Sequence, residues 1–252
     1  MLFIRSSLCY NAAISDDTAD VHAPSSGYAS PVIVWDRRKR LYKQPSGEIC
    51  MKILITGFEP FNGETINPSY EAVKLLENKI AGAGIIKLSL PVVFGKSLEK
   101  LLETIGAERP DAVICVGQAG GNYGIAVERA AINMMDSALA DNEGRIYEEE
   151  VIFPDGENAY FTNLPVKNMV TEMRDNGIPA FVSNSAGTYV CNHVMYGLLY
   201  HINKRHPNMK GGFIHVPYIP EQVIGKPGKA SMSLADIVKG ITCAIQAVLK
   251  DN

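Results

Sequence analysis

Three residues far apart in the chain, Cys191, His215 and Glu128, carry side chains that together make a nucleophilic site. A cysteine attacks as its thiolate and needs a group to take its proton. A histidine does that work, and a carboxylate behind it fixes the imidazole tautomer and stabilises the imidazolium. The chemistry of such a set is acyl transfer through a thioester. Each residue also has a plainer reading. Cys191 shares a helix face with Val194 and Met195 and can be core filler. His215 can be bonded to a neighbouring loop. Glu128 can pair with Arg129, although adjacent residues of an extended chain point to opposite faces.

The elements around these residues decide whether they can meet. Cys191 lies in SAGTYVCNH at 185–193. This stretch follows a short buried strand ending near Val182 and precedes Val194, Met195, Leu198, Leu199 and Ile202 at helical spacing. Thr188 is the expected N-cap, which places Cys191 in the first helical turn, where unpaired amides and the helix dipole favour a thiolate. His215 ends the apolar run Phe213–Val216, opened by glycines and closed by Pro217, at the edge where α/β sheets gather ligands. Glu128 interrupts a mostly apolar run behind the glycine-rich loop at 117–124, where a carboxylate is expensive to bury without a partner. His193, His201, His206 and His22 are weaker candidates for the base.

From Met51 onward, strands and helices alternate. Strands are expected near 52–56, 85–92, 111–116, 126–133, 179–183 and 212–216, and helices near 68–80, 95–106, 165–176, 189–204 and 232–250. That order predicts one α/β layered domain.

At these blocks the chain resembles the pyroglutamyl peptidase I (pyrrolidone-carboxylate peptidase) family. The matching segments are MKILITGFEPFNGETINPS at 51–69, ICVGQAGG at 114–121, VERAAIN at 127–133, SAGTYVCNH at 185–193 and GGFIHVPYIPEQ at 211–222. The resemblance implies a cysteine peptidase that removes N-terminal pyroglutamate, with Glu128, Cys191 and His215 as its triad. It also implies a three-layer α/β/α sandwich with a mixed central sheet and a homotetramer, and the chemistry of the triad calls for no cofactor. In the loop GFEPFNG, Phe58 and Phe61 are close enough to wall a slot, and a flat lactam ring needs apolar walls with a few placed polar groups. By the resemblance, Phe58 and Phe61 contact the ring, Asn67 and Gln118 lie near its polar edge, and Val190 joins the pocket wall. Asn67 can equally be a helix N-cap. One departure stands out: the family pattern Ala-Arg-Ile-Pro-Asp after Asp136 reads Ser137-Ala138-Leu139-Ala140-Asp141 here. An arginine thought to help organise the site or the oxyanion is therefore replaced by Ala138.

Composition bounds the alternatives. The 252 residues are 46% hydrophobic and 20% charged, with a formal net charge of −3. This balance argues against binding nucleic acid by bulk charge. Five cysteines (Cys9, Cys50, Cys115, Cys191, Cys243) lack a disulfide-framework spacing and point to a reducing compartment, the cytoplasm. Cys115, within an apolar strand, reads as inert core. No ligand spacing suggests a metal, and no apolar run approaches the ~20 residues that span a bilayer. GQAGGNYG after a strand leaves a nucleotide-binding reading open, and Ala138 leaves open a homologue that binds without turnover. Residues 1–50 show no sustained periodicity and contain the basic run Arg37–Arg40. They read as a disordered extension or a mispredicted upstream start, with residues 51–252 as the catalytic domain.

Overall fold

A computed structural model describes residues 51–251 and, as backbone alone, an antiparallel hairpin of β1 (Ile33–Asp36) and β2 (Lys39–Tyr42). The reading of residues 1–50 otherwise falls outside the described residues. The main chain runs β3 (Lys52–Phe58), α1 (Pro68–Leu75), β4 (Lys79–Ile80), β5 (Ala83–Leu90), α2 (Lys96–Glu108), β6 (Ala112–Gln118), β7 (Ile125–Glu128), β8 (Ala130–Ile132), β9 (Met135–Ser137) and β10 (Tyr147–Glu150). It continues through β11 (Ala159–Phe161), α3 (Val166–Asp175), β12 (Ala180–Ser183), α4 (Val190–Arg205), β13 (Lys210–Val216), α5 (Pro220–Val223) and α6 (Leu234–Lys250).

Seven strands form one sheet in the order β12-β7-β13-β6-β3-β5-β4. Strands β13, β6, β3 and β5 are mutually parallel, whereas β7 runs antiparallel to β13 and β4 antiparallel to β5. The sheet is therefore mixed. Its strands are apolar on both faces because helices cover both. Ile53 and Ile55 point into the layer built with α1, α3 and α6, and Leu54 between them points into the layer built with α2 and α4. This is the expected three-layer α/β/α sandwich.

Two expected elements are divided. The run expected as one strand at 126–133 breaks at Arg129. Its N–H donates to Ser183 O at 2.8 Å beside β12, and its carbonyl accepts from Thr162 N at 3.0 Å. The chain thereby leaves the main sheet, and β8 pairs antiparallel with β11 instead. The helix expected over 68–80 stops at Leu75. Lys79–Ile80 is drawn out as an edge strand on β5, through a two-residue turn in which Ala81 and Gly82 both have positive φ. Here strand pairing overrides helical periodicity.

Candidate active site

His215 lies near the carboxyl end of β13, and the antiparallel neighbour β7 brings Glu128 beside it. In the antiparallel ladder between β7 and β13, Phe213 lies opposite Glu128 and His215 opposite Ala126. Glu128 and His215 thus stand diagonally on one sheet face, within reach of each other. His215 Nδ1 lies 2.7 Å from Glu128 Oε1, and both residues are buried. With Nδ1 engaged, the ring nitrogen left for Cys191 is Nε2, and Cys191 lies close enough for its charge to act on the imidazole. Burial disfavours the imidazolium. The Cys191 charge, together with the Glu128 hydrogen bond and charge, outweighs it and raises the His215 pKa to about 10. The structure therefore brings Glu128, Cys191 and His215 together.

Cys191 is the second residue of α4 and is partly exposed. Thr188 does not cap this helix. The N-cap is Tyr189, whose side chain makes no capping bond, while Thr188 donates from Oγ1 to Asp136 O. The first amides of α4 have no intrahelical acceptor by position and remain available to an anion. Gly187, at φ 78°, supplies the left-handed turn into the helix. Asn192, fully buried, accepts from Ile132 N at 3.0 Å and donates to Ile132 O at 2.9 Å and Met134 O at 3.0 Å, clamping the start of α4 to β8. Gly117 makes room for the nucleophile. A Cβ there would lie 2.9 Å from Cys191 Sγ and 2.8 Å from the Phe213 ring.

These groups open on a cavity of about 370 Å³ lined by Phe61, Gln118, Tyr189, Glu128, Cys191 and His215 among others. A larger cleft of about 550 Å³ near Arg129 and Pro165 has no cysteine or histidine in its lining. Of the residues expected to bind substrate, Phe61 and Gln118 line the smaller cavity. Phe58, Asn67 and Val190 are buried and do not line it. Phe58 ends β3 and packs on Phe213 with ring centroids 6.3 Å apart. Val190 is fully buried against the α2–α4 layer. Asn67 caps α1: its Oδ1 accepts from Ser69 N at 3.1 Å and Ser69 Oγ at 2.8 Å, while Nδ2 donates to Glu59 O at 2.9 Å.

Ala138 is exposed, just past β9. The flanking backbone is tied to the residues before Cys191, through Asp136 to Thr188 and through Ala140 O to the Tyr189 hydroxyl at 3.0 Å. The other candidates sit apart from this chemistry. Burial pushes the Cys115 thiol up to about 12 and holds the His193 pKa down at about 4. Arg129 bonds Asn184 at 2.8 Å rather than Glu128. Sequence reasoning missed Asn192, Gly117 and Gln222. The signal for Asn192 was its place directly after Cys191; for Gln222 it was a polar side chain closing an otherwise apolar, proline-punctuated run.

A family model described as pyroglutamyl peptidase matches residues 51–251. The pyrrolidone-carboxylate peptidase of Clostridium botulinum is 60% identical over 202 residues, covering 80% of this chain and 95% of the relative. That of Thermosipho africanus is 61% identical over 201 residues, covering 80% and 98%. The crystal structure of pyroglutamyl peptidase I from Bacillus amyloliquefaciens superposes with a TM-score of 0.77 at 48% identity, covering 79% of this chain and 95% of that one. With that breadth of match laid over a sheet edge that gathers the cysteine, histidine and glutamate, the chain belongs to the pyroglutamyl peptidase family.

Proposed function

We propose that this hydrolase removes N-terminal pyroglutamate from peptides by cysteine catalysis, with Cys191 as nucleophile, His215 as general acid–base and Glu128 as the group that orients His215. The observation that carries the reading is the Glu128–His215 hydrogen bond beside Cys191, with all three residues lining one cavity. His215 holds the proton of Cys191, and the thiolate attacks the carbonyl carbon of the pyroglutamyl residue. The C–N bond to the next residue breaks as His215 gives that proton to the departing amine, leaving a thioester on Cys191. His215 then takes a proton from water, the resulting hydroxide attacks the thioester, and 5-oxoproline leaves as the thiol is restored.

The exposed amides at the start of α4 are the donors for the oxyanion. Phe61 offers an apolar wall for the lactam ring and Gln118 a polar contact at its edge. Phe58 and Val190 back that wall from the core, and Asn67 holds the Phe58–Glu59 turn in place. The family match from residue 51 supports a single catalytic domain over 51–252, with residues 1–50 lying outside it. A homotetramer in the cytoplasm extends the same reading, supported by the family resemblance and the cysteine usage. Among the described residues no helix is long and apolar enough to cross a membrane.

Incubating the protein with a pyroglutamyl peptide tests the proposal. Free 5-oxoproline and a shortened peptide with a new amino terminus are expected. Cleavage at any other bond, or none by folded, reduced protein, overturns it.

A further inference from the structure

Gln222 is a buried amide at the meeting point of three loops that leave the carboxyl edge of the sheet. Its Oε1 accepts from Ile219 N at 3.1 Å, and its Nε2 donates to Ile66 O at 3.4 Å and to Gln118 Oε1 at 2.9 Å. A backbone N–H can only donate, so Ile219 fixes which end of the Gln222 amide is oxygen. The other end is then the NH2 group, which can only donate in turn, and so Gln118 must offer it an oxygen. Gln118 therefore turns its own NH2 group away from this chain of bonds. Gln118 Nε2 has no hydrogen-bond partner among the described residues and is not among the buried unpaired polar atoms, so it is open to solvent, and Gln118 lines the cavity.

We propose that Gln222 is a positioning residue for substrate recognition. It sets the polarity of the Gln118 amide so that the cavity presents N–H donors and selects a substrate group that accepts, the lactam carbonyl. The inference rests on the pyroglutamyl peptidase reading above. It explains why a glutamine is buried at position 222, where an apolar residue would fill the space but leave Gln118 free to turn over. An amide free to flip presents a carbonyl half the time, and a carbonyl facing a lactam carbonyl repels it.

Two variants of the full chain test this, Gln222→Glu and Gln222→Met. The carboxylate still accepts from Ile219 but cannot donate, so it draws the Gln118 NH2 group inward and turns the Gln118 carbonyl to the cavity. The thioether matches the volume and makes no such bond. The readouts are KM and kcat on a pyroglutamyl-aminomethylcoumarin substrate, Ki for 2-pyrrolidone (the lactam ring alone), and the rate of Cys191 alkylation by iodoacetamide. In Gln222→Glu, KM and Ki are expected to rise together by roughly tenfold, the size of one hydrogen bond, with kcat and alkylation within about twofold. A smaller rise of the same kind is expected in Gln222→Met. Lowering the pH protonates the introduced carboxyl and restores a donor, so the KM gap between Gln222→Glu and the parent should narrow.

Unchanged KM and Ki in both variants overturns the inference, as does a parallel fall of kcat and alkylation rate. Failure of both variants to fold assigns Gln222 a purely structural role and overturns it as well. These results differ from failure of the underlying reading, in which the parent itself neither cleaves the substrate nor is inhibited by 2-pyrrolidone.

Discussion

His215 and Glu128 face each other diagonally across the antiparallel pair β7–β13, Nδ1 to Oε1 at 2.7 Å, where β7 runs against the parallel core of the sheet. The reversal sets Glu128, the last residue of β7, opposite Phe213 on the face that His215 shares two residues further along β13. That geometry gives a buried carboxylate its partner and the histidine its orientation.

Removing the carboxylate should therefore act through His215. Glu128→Gln is expected to lower kcat/KM by on the order of 10²–10⁴, with KM changed far less, because a neutral amide no longer stabilises the imidazolium. Steady-state kinetics with a pyroglutamyl amide measures this, and a loss under tenfold would remove Glu128 from the catalytic account.

The same pair makes stability depend on pH. The folded-state pKa of His215 is raised from 6.5 to about 10. Its contribution is whole below the unfolded value and is lost as pH rises through the folded value. Without Glu128 the folded pKa drops and that contribution shrinks. The thermal midpoints of parent and Glu128→Gln should differ most near pH 6 and converge toward about pH 10. A gap that widens with pH would contradict this.

Gly117 has no room for a side chain, since its Cβ would crowd both Cys191 Sγ and the Phe213 ring. Gly117→Ala is expected to cost about 1–3 kcal/mol of stability and to slow Cys191 alkylation, because the sulfur or the ring must move. Denaturant unfolding and iodoacetamide kinetics read the two effects separately. A variant as stable and as reactive as the parent would show that the packing there yields freely.

Asn192 holds the nucleophile's helix to β8 by three hydrogen bonds. Asn192→Leu leaves the Ile132 N–H and two carbonyls without their partner and should destabilise by about 2–4 kcal/mol. Urea denaturation measures it. A change within about 0.5 kcal/mol, the range of ordinary surface substitutions, would show that the clamp is unimportant.

Position 138 is a natural experiment. Its flanking residues bond to Thr188 and Tyr189, directly before Cys191. Ala138→Arg should raise kcat by roughly tenfold or more if a cation there stabilises developing negative charge. An unchanged kcat would assign that stabilisation to the backbone amides of α4.

Much of this was legible in the residues. Buried parallel strands announce themselves as apolar runs, and the elements carrying Cys191 and His215 lie where periodicity and flanking glycines put them. What escaped depends on partners distant in sequence. The break at Arg129 exists because Ser183 and Thr162 take its backbone groups, and the early end of α1 exists because β5 recruits Lys79–Ile80. Neither leaves a local mark. Thr188 has the side chain of an N-cap, yet the loop carrying Asp136 claims its hydroxyl and the cap falls to Tyr189. The cavity residues split the same way. Phe61 and Gln118 reach the cavity, but the alternation of β3 and the cap of α1 turn Phe58 and Asn67 toward structural neighbours.

The most direct measurement is hydrolysis of pyroglutamyl-aminomethylcoumarin by the reduced full-length chain beside its Cys191→Ala variant. Turnover by the parent, abolished in a variant that remains folded, is the predicted result. Turnover that survives loss of the sulfur, or its absence from the folded parent, would contradict the account.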